Sequence, residues 1–353
     1  MKVKLGELTK IRTGKLDANA ASEDGTYPFF TCSKEPLRIS TYSYNCECVL
    51  VAGNGDLNAK YYNGKFDAYQ RTYIIESNGD GRLHLPYLYH FMTRYIQELR
   101  KLSIGGVIKY IKLGNLTDAE ISLPSVKEQK DACEKLKKIK NIIDKKEAQI
   151  SYLDNLIKAR FVEMFGNVVV NDKSWPTKPI SSVAPANSPN ITVSENIWLL
   201  NLDMIESQSG KVLDRIIVSK NKINASTCAF DDKNVLYSKL RPYLNKVVLP
   251  DQEGYCTTEL VPLRPSNKLN REFLATLLRS DAFVGYINEK TAGAKMPRVS
   301  MNIFRQFECI LPPITLQEQF SVFYKQVYKS KFALVKSIKL LKKSPFDILL
   351  GPL

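Results

Sequence analysis

Two patterns of apolar residues occur along this chain, one typical of strands and one typical of helices, and both occur twice in the same order. Short apolar runs bounded by turn residues predict β-strands at matching places in the two halves: Tyr27–Phe30 and Cys48–Val51, then Trp198–Leu202 and Asn234–Tyr237. Apolar residues at helical spacing predict a helix from Pro86 to about Lys101, and another from Phe273 to Ile287 at the matching place. The repeated order indicates two domains that arose by duplication.

Each of these domains is followed by a segment with a heptad pattern, in which apolar residues recur at alternating spacings of three and four. The first segment, residues 127–165, contains no proline or glycine, and Gly166 is expected to end its helix. The predicted packing positions are Leu136, Ile139, Ile143, Ile150, Leu153 and Ile157 in the first helix, and Phe320, Tyr324, Val327, Leu334, Ile338 and Leu341 in the second. We expect the two helices to pair antiparallel with each other; in the alternative, each packs on its own globular domain.

A short signature precedes each heptad segment. Ile121–Pro124 with Glu128 and Gln129 forms the first copy, and Cys309–Pro313 with Glu318 and Gln319 forms the second. The glycines upstream, Gly105 and Gly293, stand 188 residues apart, far beyond the 20–50 residues of solenoid repeats. The duplication is therefore domain-sized. The two copies share the order and spacing of their predicted elements but differ at most residues.

Composition narrows the class of partner. A length of 353 residues suggests two or three domains, and a net charge of +15 with a pI near 9.3 favours a polyanion; a solvated basic surface is the alternative. No apolar run approaches the ~18 residues that span a bilayer, and the amino terminus lacks a signal-peptide core, so we expect nucleic acid rather than membrane. Seven scattered cysteines without a CxxC motif predict reduced thiols and a cytoplasmic location.

Motifs for catalysis are missing from the sequence. There is no GxxxxGK[ST] phosphate loop and no Asn/Asp-Pro-Pro-Tyr motif of amino-methyltransferases. His84 and His90 lack the spacing of metal ligands, and Cys46 with Cys48 reads as two strand residues on one face rather than as a metal site. We therefore expect no catalytic residues, no metal and no cofactor in this chain.

Binding chemistry is present on two loops in each half. DNA readers need cations for phosphates, and Arg, Lys, Asn or Gln for base edges. The candidates in the first half are Asn54, Asn58, Lys60, Tyr62, Gln70 and Arg71, followed by Lys109, Tyr110 and Lys112. The candidates in the second half are Lys239, Arg241, Tyr243, Asn245 and Lys246, followed by Lys295 and Arg298. For any single candidate, the simpler explanation is a polar side chain on a solvated surface. The matching placement in both halves favours a binding role for each pair of loops as a whole.

This order of features resembles the specificity (S) subunit of type I restriction–modification enzymes. The resemblance covers essentially the whole chain and is carried by four segments: Lys4–Leu8, Ser122–Gln129, Ile150–Gly166 and Ile310–Gln319. It implies an α+β fold with pseudo-twofold internal duplication, in which two mixed α/β target-recognition domains are joined by two long antiparallel coiled-coil helices. The implied boundaries are target-recognition domains at 1–122 and 166–311 and spacer helices at 123–165 and 312–353.

The resemblance also implies partners. Each target-recognition domain would read one half of a split sequence in double-stranded DNA, and the helices would set the distance between the halves. The chain would dock two methyltransferase (M) subunits, which bind S-adenosylmethionine, and through them the restriction (R) subunits. The alternative is a free-standing or remnant DNA-binding protein that does not assemble with a methyltransferase. Pro345 predicts an early end to the second helix, so the carboxy-terminal repeat is expected to be shortened.

Overall fold

The computed structural model describes residues 2–191, 195–223, 226–291 and 297–343. The chain divides into two compact units: unit 1 comprises Met1–Glu147 with Val335–Leu353, and unit 2 comprises Ala148–Leu334. Each unit holds one mixed α/β domain and part of each of two long helices. Among the described residues, no helix is both long and apolar enough to cross a lipid bilayer.

Unit 1 is built around a six-stranded sheet. The strands of unit 1 are β1 (Lys2–Lys4), β2 (Thr9–Thr13), β3 (Tyr27–Phe30), β4 (Leu37–Ile39), β5 (Tyr44–Ala52), β6 (Ala59–Ala68), β7 (Thr72–Ser77) and β8 (Glu120–Ser122). Its helices are α1 (Leu5–Leu8), α2 (Leu85–Leu102), α3 (Gly114–Thr117) and the beginning of α4 (Val126–Phe165). The sheet has the order β2-β7-β5-β6-β3-β4, and β1 pairs antiparallel with β8 in a separate two-stranded sheet.

Both faces of β5 are covered, which explains why its sequence is a continuous apolar run rather than an alternating one. Val49 and Val51 lie in a core with the apolar side of α2. Cys48 and Leu50 lie in a second core with Phe30 and neighbouring strand residues. The central strand thus anchors the loop that follows it, residues 53–58, between two hydrophobic clusters.

Unit 2 repeats this plan with a divided sheet. Its strands are β9 (Thr177–Pro179), β10 (Asn196–Leu200), β11 (Ile216–Ser219), β12 (Thr227–Phe230), β13 (Val235–Ser238), β14 (Val247–Val248), β15 (Gly254–Thr257), β16 (Leu260–Leu263) and β17 (Glu308–Ile310). Its helices are the end of α4, then α5 (Ile180–Val183), α6 (Arg271–Arg279), α7 (Asp281–Glu289), α8 (Met301–Arg305) and most of α9 (Ile314–Lys343). The sheets have the orders β11-β10-β15-β12, β14-β13-β16 and β17-β9.

The duplication seen in the sequence is visible in the strand pairing. In unit 1, β3 pairs antiparallel with β4 and parallel with β6. In unit 2, β10 pairs antiparallel with β11 and parallel with β15. In both units a one-turn helix, α1 or α5, follows a strand that pairs with the strand just before a long helix. The matched strand runs proposed from the sequence therefore occupy equivalent places.

One predicted helix is wrong as a continuous element. The apolar spacing from Phe273 to Ile287 predicts one helix, whereas the structure has α6 and α7 with an extended residue, Ser280, between them. The Ser280 hydroxyl accepts a hydrogen bond from the backbone N–H of Phe283 (3.2 Å), and Asp281 occupies the first turn of α7. A serine cap and an acidic first turn favour starting a new helix there.

Within unit 2, the end of α4 packs against the beginning of α9. The ring centroids of Phe165 and Phe320 lie 5.6 Å apart, and Asp154 forms an ion pair with Lys331. Phe165 lies later in α4 than Asp154, while Phe320 lies earlier in α9 than Lys331, so the two helices run antiparallel. The predicted fold class, two mixed α/β domains with two long antiparallel helices, is confirmed.

Within unit 1, the start of α4 belongs to the preceding domain. Ala132 and Leu136 lie in the core cluster that holds β5 and α2. Further along, Glu147 of α4 receives a hydrogen bond from the ammonium group of Lys342 in α9 (2.9 Å). The heptad positions that are buried are Leu136, Ile143, Ile157, Phe320, Tyr324, Val327 and Ile338, and those half-buried are Ile139, Ile150, Leu153, Leu334 and Leu341. The first turns thus pack on their own domain and later turns contact the other helix.

Candidate nucleic-acid interface

In unit 1, backbone hydrogen bonds hold the two candidate loops side by side. We call residues 53–58 the first loop and residues 103–113 the second loop. The N–H of Gly55 donates to the carbonyl oxygen of Lys109 (3.0 Å), and the N–H of Ile111 donates to that of Gly53 (2.9 Å). Two clusters that are separate in the sequence therefore form one continuous surface.

Unit 2 repeats this connection with different residues. The N–H of Arg241 donates to the carbonyl oxygen of Pro297 (2.8 Å), and the N–H of Val299 donates to that of Lys239 (2.8 Å). Each of these residues stands 186 or 188 positions after its counterpart in unit 1. The connection is a property of the frame, because it is made by backbone atoms and survives the change of side chains.

The second loop of unit 1 is a narrow hairpin. Ile104 and Tyr110 exchange two backbone hydrogen bonds of 3.0 and 2.9 Å. Gly105 has a φ of +116°, and a Cβ atom there would stand 2.6 Å from the carbonyl oxygen of Ile108. Glycine is therefore required for both conformation and space, which is a structural reason for the glycine identified in the sequence.

Several unit 1 candidates are free to meet a ligand. Lys109, Tyr110 and Lys112 on the second loop are exposed, as are Gln70 and Arg71 between β6 and β7. Asn54, half-buried on the first loop, forms an isolated bridge with Tyr110.

Three other unit 1 candidates are already engaged inside the domain. The amide of Asn58 donates to the carbonyl oxygens of Cys32 and Asp56, both at 2.8 Å. The ammonium group of Lys60 donates to the Asn58 side chain, and burial lowers the pKa of Lys60. Tyr62 packs its ring against Phe30 and Phe66. Asn58 lies in the first loop, whereas Lys60 and Tyr62 lie on β6 and not on a loop as the sequence predicted. Contact of these side chains with DNA stays a prediction.

The first loop of unit 2, residues 239–246, carries backbone strain. Arg241 and Asn245 both adopt positive φ, +49° and +50°, on either side of a short turn that exposes Tyr243. Residues other than glycine are uncommon in this conformation, and such strain concentrates at functional sites. The Arg241 Nε and Asn245 Oδ1 atoms are buried without a hydrogen-bond partner among the described residues. Such atoms are rare in folded proteins, and they mark this loop as unusual.

The remaining unit 2 candidates differ in availability. Lys239 is half-buried. Arg298 is exposed, and its guanidinium forms an ion pair with Glu259 (2.9 Å). The amide of Asn245 donates to the carbonyl oxygen of Arg279 (3.0 Å), and the ammonium group of Lys246 donates to that of Leu202 (2.9 Å). Burial lowers the pKa of Lys246. Lys295 lies outside the described residues.

Sequence reasoning missed residues beside or within the candidate loops. Glu259 has one carboxylate oxygen on Arg298 and the other buried without a partner in the described part of the chain. Val107 and Ile108 stand at the exposed tip of the second loop of unit 1. Apolar residues after a double glycine were an available signal for the tip, whereas nothing in the sequence marks Glu259. No cluster of His, Cys, Asp or Glu in the described ranges is arranged to hold a metal ion.

One glutamine in each signature segment is a buried structural clamp. The clamps are Gln129 and Gln317, so Gln129 corresponds to Gln317 and not to the exposed Gln319 with which the sequence matched it. The side-chain oxygen of Gln129 accepts from the N–H of His84, the residue that caps α2, and its amide donates to the carbonyl oxygens of Arg82 and Pro124 (2.8–2.9 Å). Gln317 makes the same three bonds, to Asn270, Lys268 and Pro312 (2.8–3.1 Å). Both glutamines are completely buried. Each ties the start of a long helix to the start of the domain helix before it.

Residues 1–153 and 172–342 match the family described as the type I restriction modification DNA specificity domain. The chain is 29% identical over 355 residues to the type I restriction enzyme EcoDI specificity subunit of Escherichia coli, covering 90% of this chain and 78% of that protein.

Two solved structures share the fold. One is the S subunit of a type I restriction–modification system from M. genitalium, with 13% identity, a TM-score of 0.58 and coverage of 100% of this chain and 96% of that chain. The other, from work on complex assembly and conformational transition of the type I R-M system, has 14% identity, a TM-score of 0.62 and coverage of 99% and 96%. With the family match covering two long segments in sequence order, this chain belongs to the type I restriction–modification DNA specificity family.

Proposed function

We propose that this chain recognises a bipartite target in double-stranded DNA, with unit 1 reading one half-site and unit 2 reading the other. The observation that carries the proposal is the repeated pairing of two loops, held by the same backbone hydrogen bonds in both units. The frames match while the side chains differ, as Gly55 against Arg241 and Tyr110 against Arg298 illustrate. A shared frame with different contents is what reading two different half-sites requires.

Phosphate and base contacts have different sources on this surface. Exposed lysines supply the cations that phosphates need, and the arginines of unit 2 have the forked geometry that suits guanine in the major groove. The net charge of +15 makes the whole chain attractive to a polyanion. We expect this chain to catalyse no reaction on DNA itself. It would act as a recognition subunit, in the cytoplasm.

Partner subunits would carry out the methylation and cleavage of DNA. We propose that two methyltransferase subunits dock on this chain, that S-adenosylmethionine binds to them, and that restriction subunits attach through them. The structural neighbour from work on complex assembly of the type I R-M system supports looking for such an assembly. Co-purification of the full chain with a co-expressed methyltransferase subunit tests it. A chain that binds DNA but captures no methyltransferase would instead be a free-standing reader.

A segment exchange tests the division of labour. Residues 166–311 would be replaced by the same segment of a relative with a different target, and methylated sites would be mapped in cells carrying the chain with its methyltransferase. We expect one half-site to change and the other to stay. A change in both halves, or in neither, would contradict the assignment of one half-site to each unit. Exchange of a segment from a relative with the same target is the matched control.

A further inference from the structure

The tip of the second loop in unit 1 presents aliphatic side chains to solvent. Val107 is fully exposed and Ile108 is 62% exposed. Ile104 and Tyr110 below them are exposed by about two fifths. A group of apolar side chains at the end of one hairpin is unusual for a solvated loop and favours a surface that becomes covered.

The hairpin is held in place rather than free to fold back. Two backbone hydrogen bonds close it between Ile104 and Tyr110, and two more fix it to the first loop through Gly53 and Gly55. At Gly105 the backbone passes so close to the carbonyl oxygen of Ile108 that a Cβ atom would not fit. Both tip residues are β-branched, so their side chains have few rotamers to lose on binding. The tip is thus pre-organised for contact.

The charges around the tip select a polyanion as the covering partner. Lys109 follows it directly, Lys112 lies four residues beyond Ile108, and both are exposed. The acid of the neighbouring first loop, Asp56, is neutralised by Arg100 (2.9 Å) and Lys34 (3.8 Å). An apolar tip flanked by cations fits DNA, where lysines meet phosphates while the tip enters a groove.

Resting on the proposed function, we propose that Val107 and Ile108 read thymine in the half-site of unit 1, by packing against thymine C5-methyl groups in the major groove. Thymine is the base that offers an apolar group there, and aliphatic side chains read it by contact. The half-site of unit 1 therefore contains at least one thymine whose methyl group contributes to affinity.

The first step of the test identifies the target. Duplexes with 40 random base pairs would be selected with the full-length chain and with the double variant Val107→Ser, Ile108→Ser. We expect the unchanged chain to enrich a bipartite site, and the variant to enrich the same site with relaxed preference at one or two positions of one half. Enrichment of identical sites by both chains would overturn the thymine reading while leaving the proposed function intact. Failure of the unchanged chain to enrich any sequence would count against both.

The second step removes the methyl group itself. Each thymine of the selected site would be replaced in turn by deoxyuridine, and dissociation constants would be measured by fluorescence anisotropy. We expect a loss of about fourfold at one or two positions for the unchanged chain, the effect of one buried methyl group. The double variant should show no loss at those positions. Equal losses in both chains, or none in either, would overturn the proposal.

A matched control separates tip chemistry from general loss of apolar surface. Val170 is also a valine on an exposed turn, 72% accessible, but lies in unit 2. Val170→Ser should keep the deoxyuridine losses of the unchanged chain. Because Val107 and Ile108 are exposed, their replacement should leave the thermal unfolding midpoint within about 1 °C, which the same samples would show.

Discussion

At the scale of single residues, the two signature glutamines have the clearest physical role. Each forms three hydrogen bonds to backbone groups and is fully buried. Their exposed neighbours in the signature face solvent instead: Glu128 accepts from the N–H and hydroxyl of Ser125 in a capping box at the start of α4. The signature therefore contains one residue for the fold and others available at the surface.

Loss of a signature glutamine should destabilise its unit. Gln317→Ala leaves the N–H of Asn270 and the carbonyl oxygens of Lys268 and Pro312 without their partner in a buried site. We expect a decrease of about 2–4 kcal/mol in the free energy of unfolding of unit 2, measured by urea denaturation. The exposed Gln319→Ala in the same motif should change it by less than about 0.5 kcal/mol. Equal effects of the two replacements would refute the clamp.

The two histidines should make unit 1 sensitive to mild acid. Burial lowers the pKa of His84 and of His90 below 6.5, and Lys140 lowers that of His90 further. The unfolded chain then binds these protons before the folded chain does, so stability falls as the pH drops below about 6.5. We expect a lower thermal midpoint at pH 5.5 than at pH 7.5, and a smaller difference for His90→Gln. An NMR titration giving His90 a pKa at or above 6.5 would refute this.

At the scale of elements, the two loops and the two long helices do different work. The loops are fixed by backbone bonds and so tolerate exchange of side chains, which suits variable recognition. The helices are fixed by side chains, with Leu136 in the domain core and Phe320 against Phe165. Exchange of these packing residues alters the frame. The serine cap at Ser280 belongs to this scale too, since it divides a helix that apolar spacing alone predicts to be continuous.

Lengthening α4 should change the spacing between half-sites and leave their sequences unchanged. A helical turn of four residues adds about 6 Å, or one to two base pairs of DNA. We would insert four residues between Lys138 and Ile150 and map methylated sites in cells carrying the methyltransferase. Four residues inserted in the 213–215 segment, which belongs to neither α4 nor α9, serve as the control and should leave the spacing unchanged. Unchanged spacing after the α4 insertion would rule out a ruler role for this helix.

At the scale of the whole molecule, positive charge dominates, but not every lysine is available. Of the lysines on α9, Lys325, Lys331 and Lys342 form ion pairs with acids of the same unit. Such pairs compete with phosphate binding. Lys109 and Lys112 on the second loop of unit 1, by contrast, are exposed beside the candidate base readers.

DNA affinity should therefore depend steeply on salt, and the loop lysines should account for part of the slope. Each neutralised phosphate contributes about −0.9 to the log–log slope. We expect Lys109→Ala with Lys112→Ala to make the slope shallower by about 2, measured by anisotropy from 50 to 200 mM salt. Replacement of two exposed lysines away from the loops, Lys10 and Lys135, keeps the same total charge as a control. An equal change in slope for both pairs would mean that total charge, and not the position of the loop lysines, determines the salt dependence.

Part of the fold and site was predictable because it is local. Heptad spacing predicted α4 to within a residue, and Gly166, with a φ of +75°, ends it as expected. Apolar runs predicted β3 and the buried part of β5. The candidate loops were found from their cations and glycines. The internal engagement of Asn58, Lys60 and Asn245 was not foreseeable, because their partners lie 26 or more residues away or on side chains whose direction the sequence does not encode.

The sequence by itself determined the duplication, the long helices and the basic character of the chain, since periodicity and charge are written in neighbouring residues. Only the tertiary structure decided which loops meet, because Gly53 with Ile111 and Lys239 with Val299 are joined by backbone bonds that leave no mark on side-chain identity. It also gave the signature glutamines their role. A buried amide and an exposed one have the same letter, and only packing distinguishes a clamp from a surface residue.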